Sequence, residues 1–240
     1  MPLRIDVLTT FPEMFAPVPP AALAVSIPGR AVAAGAVEII ATDIRAYSQN
    51  KHKKTDDRPF GGGPGMVMMC QPVWDAVAAV EAMDPRPARR VLLTPQGRPL
   101  TQALVEELSR EARLLLIAGH YEGIDERVIE RLAPLEISIG DYILSGGELA
   151  AMVLIDAVAR LLPGVLGDQD SNAQDSFSPA GERGERLLDC PHFTKPREWM
   201  GAAVPEVLLS GDHGRVAEWR LEERRRRTKE RRPDLLPPSV

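Results

Sequence analysis

The sequence has little cysteine, no long hydrophobic run and no excess of positive charge, and each shortage removes a class of protein. Cys70 and Cys190 are the two cysteines in 240 residues, and they form no CxxC. That argues against a disulfide framework and for reduced, cytoplasmic surroundings, with both thiols serving as small buried hydrophobes. The most apolar stretch, Leu149 to Leu162, is broken by Asp156 and Arg160 and is too short to span a bilayer, so no membrane partner is expected. Arg4, Asp6 and Glu13 interrupt the first residues in a way that a signal peptide does not. A net charge of −5 gives no global sign of nucleic-acid binding. Basic residues are instead gathered locally, in "NKHKKTDDR" and "RLEERRRRTKERR", each of which is either a solvated face or a nucleic-acid contact. Two fingerprints are missing as well. No G-x-G-x-x-G opens a helix after the first strand, and no Lys-Ser/Thr follows "RPFGGGPGM", which removes the dinucleotide and Walker readings.

What is present, 44% hydrophobic and 26% charged residues, describes a soluble globular chain of one large or two modest domains. "LRIDVLTTFP" alternates as a first strand, and a helix punctuated by Gly35 leads to a second at Val37 to Ala41. "QNKHKKTDDRPFGGGPGMVM" has no apolar period and reads as a long functional loop. "PVWDAVAAVEAM" is helical, "RVLLTPQG" a strand and turn, and "TQALVEELSREA" a helix capped by Thr101. "RLLLIAGHYEGI" and "LEISIG" are further strands, and a helix runs from Glu148 to about Leu162, ended by Pro163-Gly164. Alternating strands and helices predict an α/β domain over 1–162 with a mostly parallel sheet. The polar stretch 163–186 reads as a flexible linker, and 187–240 as a small, mainly helical domain.

Three apolar runs end alike, in "LLTPQG", "IAGHYEGID" and "SIGDYILSGGE". In a parallel sheet the carboxyl ends of the strands share one edge, where ligands bind, and glycine lets backbone groups come close to them. Together the three predict a ligand edge suited to a flat, largely neutral ring such as adenine. The helix "GELAAMVLIDAVARLL" is apolar nearly all round, which predicts burial against a second subunit. Arg160 either pairs with Asp156 at i,i+4 or faces an anionic substrate. Asp175 is either an exposed linker residue or a catalytic group that the linker brings to the active edge.

Several of these segments, in order and over almost the whole length, resemble the bacterial tRNA (guanine-N1)-methyltransferase family of the SPOUT class. They are "DDRPFGGGPGM", "LTPQGRPL", "GHYEGIDERV", "SIGDYILSGGE", "LIDAVARLLPGVLG", "DSFS", "LLDCPHFTKP" and "VPEVLLSGDH". The resemblance implies a deep trefoil knot late in the first domain, cradling S-adenosyl-methionine. It assigns that cofactor Leu93, Thr94, Pro95, Gly119, Tyr121, Glu122, Ile139, Gly140, Asp141, Tyr142, Ile143, Leu144, Gly146 and Gly147. It implies methylation of N1 of guanosine 37 in tRNA by a homodimer with composite active sites, Asp175 acting as general base and Arg160 countering charge on O6. Asp56, Asp57, Arg58 and Gly65 would contact the target base and nearby phosphates, and Phe177 would stack on the base. The arginines Arg224 to Arg227 would meet phosphates. Magnesium dependence is also implied, with Glu122 as a participant and no metal ligand firmly assigned. Two alternatives share the fold: a methyltransferase for another RNA, and a non-catalytic RNA-binding protein.

Overall fold

The computed structural model describes residues 1–16, 21–166, 174–180 and 185–236, which divide into two units, Met1–Gly167 and Asp168–Val240. The first unit is built on five parallel strands in the order β2-β1-β6-β5-β7: β1 Leu3–Thr9, β2 Val37–Asp43, β5 Arg89–Pro99, β6 Arg113–Ala118 and β7 Leu135–Ser138. Two short strands, β3 Asp56–Asp57 and β4 Val67–Met68, pair antiparallel beside this sheet. Helices cover both faces, and the period-two geometry of a strand assigns alternate side chains to each. Leu114 and Leu116 of β6 pack with α1 (Ser26–Ala33), α3 (Gln102–Leu108) and α5 (Glu148–Ala159). Leu115 and Ile117 pack with α2 (Cys70–Ala82) and α4 (Glu126–Leu132). The expected α/β class with its parallel sheet is what the chain adopts.

The alternation in "LRIDVLT" has a different cause from solvent exposure, because every residue of β1 is buried. Arg4 and Asp6 turn inward and pair at 2.8 Å. Arg113, fully enclosed on β6, places Nε 2.8 Å from the other Asp6 oxygen. Its remaining guanidinium hydrogens go to the carbonyls of Val80, Glu81, Asp84 and Arg86. Arg113 thus caps the end of α2 while it neutralises Asp6, satisfying carbonyls that a helix terminus leaves open.

Thr101 caps α3 as expected, its hydroxyl accepting the Leu104 N–H. α5 stops at Ala159, short of Pro163-Gly164. α4 was not anticipated; Asp125 caps it, accepting the Arg127 N–H, and Ala133 ends it in the left-handed region at φ 44°.

The second unit contains two short antiparallel pairs, β8 Pro179–Ala180 with β9 Glu185–Arg186 and β10 Glu198–Trp199 with β11 Ala202–Ala203, and a long helix, His213–Arg231. The described residues 174–180 and 185–186 of the expected linker fall within this unit. Thr228, fully buried on the long helix, accepts the Leu188 N–H. No helix among the described residues is long and apolar enough to cross a membrane.

Candidate active site

Three strand ends and the start of α5 meet at the carboxyl edge of the sheet. β5 and β7 pair with a register shift, Leu93 and Arg98 both opposing Ile137, which pushes Thr94, Pro95 and Gln96 outward. Gly97 makes the close crossing possible, since a Cβ there would lie 2.4 Å from the Ile137 nitrogen. After β6 the chain turns through Gly119 to Gly123, with Tyr121 at φ 62°. Gly147 donates its N–H to the Gly119 carbonyl at 2.7 Å, joining the start of α5 to this turn. After β7, Tyr142 donates its N–H to the Gly140 carbonyl and its hydroxyl to the Ile139 carbonyl.

Between these loops lies a cleft of about 380 Å3. Leu93, Thr94 and Pro95 form one side, Gly119, Tyr121 and Glu122 another. Ile139, Gly140, Tyr142, Ile143, Leu144, Gly146 and Gly147 complete it. Asp141 is the exception, lying outside the lining. His120 also lines the cleft, as do Gln96 and Ser138, neither of which was singled out from the sequence. Gln96 sits inside the "TPQG" turn, whose protrusion was the available signal. A more open depression of about 820 Å3 lies at the opposite, amino-terminal edge. Its charges are engaged internally, Arg90 with Glu81 and Arg86 with Asp84, both at 2.7 Å. The smaller cleft is therefore the better candidate, with three glycine-containing turns and an apolar wall.

The glycine-rich loop docks on the same turn. Met68 donates to the Gly123 carbonyl at 2.9 Å, Glu122 to Met66 at 3.0 Å, and Asp125 to Met68 at 3.0 Å. Gly65, at φ 83°, lies against Glu122, whose Oε1 would be 2.2 Å from a Cβ. Asp57 and Arg58 are exposed and Asp56 half-buried on this loop. A second depression of about 850 Å3, lined by Asp57, Arg58, Phe60, Cys70 and Arg127, shares Val67, Ile124 and Glu126 with the cleft. Arg127 hydrogen-bonds Asp125 and holds its carboxyl well below the usual carboxylate range. Burial, reinforced by the Asp125 hydrogen bond, pushes the Cys70 thiol up, so it stays neutral and unreactive.

The remaining expected residues lie elsewhere. Arg160 follows the last turn of α5, about 18 Å along the helix from its cleft-side start at 1.5 Å per residue. Asp175 belongs to the second unit, where its carbonyl accepts a hydrogen bond from Arg224 Nη2 at 3.1 Å. Arg224 is buried, and Arg225 and Arg226 pair with Glu185, Glu223 and Glu230. The arginine run is thus largely engaged within its own unit, and Arg224 fixes the backbone of Asp175. Phe177 stands next to it at φ 68°, with Arg232 5.9 Å from its ring centroid.

A family profile described as "tRNA (Guanine-1)-methyltransferase TrmD" matches residues 3–238. A protein of Rhodopirellula baltica is 52% identical over 236 residues, covering 98% of this chain and 94% of its own. Proteins of Chloroflexus aurantiacus and Geobacillus kaustophilus are 54% and 53% identical, each over 98% of this chain and over 88% and 91% of their own. All three are named tRNA (guanine-N(1)-)-methyltransferase.

Proposed function

Because the chain belongs to the tRNA (guanine-1)-methyltransferase family, we propose that it methylates N1 of guanosine 37 in tRNA, with S-adenosyl-methionine as donor. The observation that carries the reading is the cleft at the carboxyl edge, which draws together three separate glycine turns under a family match spanning nearly the whole chain. The residues present suit the donor. Gly119, Gly140 and Gly146-Gly147 put no Cβ between the cleft and the backbone, so an adenine could approach it closely, and Leu93, Ile139, Ile143 and Leu144 supply an apolar wall. When bound there, S-adenosyl-methionine supplies an electrophilic methyl group on a sulfonium.

The crossings at Gly97 against Ile137 and at Gly147 against Gly119 are where a trefoil knot would pass one strand end through another. Knots are rare because chains seldom thread their own loops. Close packing of backbone on backbone at glycine is what threading would need.

The acceptor chemistry sets the demand on side chains. N1 of a neutral guanine carries a proton, so its lone pair is free for attack only as that proton leaves. In this reading the Asp175 carboxylate takes the proton, the N1–C bond forms, and the electrons of the broken C–S bond remain on sulfur. Negative charge on O6 is met by Arg160. The Asp56–Arg58 segment and Gly65, on the loop docked beside the cleft, would hold the target nucleotide.

A composite site in a homodimer fits these positions. Arg160 sits at the end of α5 remote from the cleft, and Asp175 is carried by the second unit. Leu149 and Val153 are about half exposed along α5, and Ile143 is 81% exposed nearby. Such an apolar stripe calls for cover, which a second copy would supply. For magnesium, Glu122 in the cleft wall is the carboxylate that would take part, since such an ion is commonly held by one or two carboxylates together with substrate phosphates. Among the described residues the three-donor cluster found is Asp189, Cys190 and His192 of the second unit, whose thiol and imidazole do not suit an oxygen-seeking ion. No step is assigned to the metal. The reaction is placed in the cytoplasm, where tRNA is modified.

With labelled S-adenosyl-methionine, a transcript carrying guanosines at positions 36 and 37 is expected to acquire one methyl group. Replacing guanosine 37 by adenosine should abolish labelling. Label that persists on the altered transcript rules out the assigned base.

A further inference from the structure

One buried polar group beside the cleft has no role in the chemistry above. His120 follows Gly119 in the turn after β6, its side chain 21% exposed. Its Nδ1 is fully enclosed, has no hydrogen-bond partner, and lies 3.7 Å from Oε2 of Glu148. Glu148 is the first residue of α5 and only 3% exposed. Its other oxygen accepts the Thr9 hydroxyl hydrogen at 2.8 Å, which ties α5 to the end of β1. A separation of 3.7 Å is too long for a hydrogen bond and short enough for a strong interaction between charges.

Gly146 makes this arrangement possible. A Cβ there would stand 2.2 Å from Glu148 Oε2 and 2.3 Å from His120 Nδ1, so any other residue would push into the space between them. His120 and Gly146 also form a backbone bridge. The imidazole touches Tyr121 edge-on, ring centroids 5.1 Å apart at 89°, and Phe11 at 5.1 Å. Tyr121 is a wall of the cleft and is held in the left-handed region, a conformation that persists only when its surroundings enforce it.

The groups facing the imidazole are few. α5 contributes Glu148, and the end of β1 contributes Thr9 through Glu148 and the Phe11 ring. Arg45 lies beyond Phe11, its guanidinium 5.2 Å from that ring. β4 contributes the Met68 sulfur, which accepts the backbone N–H of His120 and not a ring hydrogen. The turn itself adds the Tyr121 ring.

We propose that His120 is a positioning residue for the methyl donor: its imidazolium draws the Gly119–Gly123 turn onto Glu148 and so sets Tyr121 and the floor of the cleft. This rests on the reading of the cleft as the donor site. A charged His120 closes the 3.7 Å gap and gives the buried carboxylate a second partner. An uncharged one leaves a buried carboxylate short of a counter-charge and loosens the turn. Donor affinity is therefore higher when His120 carries its second proton than when it does not. In this proposal His120 acts through the turn, so the effect is read in donor binding and not in turnover at saturation.

The test is titration calorimetry of the full-length protein with S-adenosyl-methionine between pH 5.5 and 8.5. Wild type, His120→Arg and His120→Gln are compared, with circular dichroism melting to check the fold of each. Wild type is expected to lose affinity across that range by roughly five- to ten-fold, the scale of an ordinary coupling between two sites. His120→Arg should stay tight at the alkaline end, and His120→Gln should be weak throughout. Ionisation of the donor itself is common to all three and drops out of the comparison. A wild-type affinity independent of pH, or the wild-type slope retained in His120→Gln, overturns the proposal. A wild type that binds no donor at any pH overturns the donor-site reading beneath it.

Discussion

Asp175→Asn is expected to lower methyl transfer to tRNA by about 10²- to 10⁴-fold, the range that a positioned general base supplies. Affinity for S-adenosyl-methionine should be unchanged. The two expectations separate because Asp175 lies in the second unit while the cleft is built wholly from the first. Asparagine keeps the shape of the side chain and leaves the backbone contact intact, since Arg224 binds the carbonyl of Asp175 and not its carboxylate. What is lost is the capacity to accept the N1 proton. Single-turnover rates report the chemical step, and calorimetry reports donor binding. A large loss of donor affinity would place Asp175 in the donor cleft and overturn its role as base. An Arg160→Ala protein mixed with Asp175→Asn should recover activity if one protomer supplies Arg160 and its partner Asp175 to the same site, because one site of the mixed dimer then holds both residues. Homogeneous preparations of either stay inactive.

Asp6→Asn is expected to destabilise the protein by about 3 kcal/mol, the lower end of what breaking a buried ion pair costs. Asp6 has no exposed surface and faces two guanidiniums, Arg4 and the fully buried Arg113. Its neutralisation leaves Arg113 with carbonyl partners alone and no counter-charge within the sheet. Arg4 keeps the more distant Asp84, at 3.6 Å, and the charge of Glu38. Because Arg113 also caps α2, the loss reaches the helix that carries Val73, Val77 and Val80 into the core. The measurement is a urea melt, read as a lower midpoint at unchanged slope. A shift worth less than 1 kcal/mol would mean that the arginines are adequately solvated without the carboxylate.

The sequence displayed those parts of the fold that depend on local pattern. Leu114 to Ile117 announce a strand buried on both faces, and Thr101 before "QALVEEL" marks a capped helix start. The glycines of the three strand ends pointed to one edge because parallel strands must bring their carboxyl ends together. α4 escaped notice because "ERVIERL" is short and charged, with Val128 and Leu132 as its buried anchors. The alternation of "LRIDVLT" did not show that Arg4 and Asp6 are enclosed, since nothing local tells a solvated charge from one paired, as Asp6 is with Arg113, more than a hundred residues away. Arg224 shows the same limit. In a run of four arginines no pattern marks the one that turns inward to hold Asp175. Nor could spacing show that His120, Gly146 and Glu148 share one enclosed pocket, because two strand ends and a helix start must assemble first.

The central claim is a single bond, between the donor's methyl carbon and N1 of guanosine 37. It is tested most directly by mass spectrometry of nucleosides from a tRNA transcript after incubation with the protein and S-adenosyl-methionine. The account predicts that N1-methylguanosine is formed and that fragment mapping places it at position 37. Methylation at N2, N7 or a ribose hydroxyl, or N1-methylguanosine at another position, would contradict it.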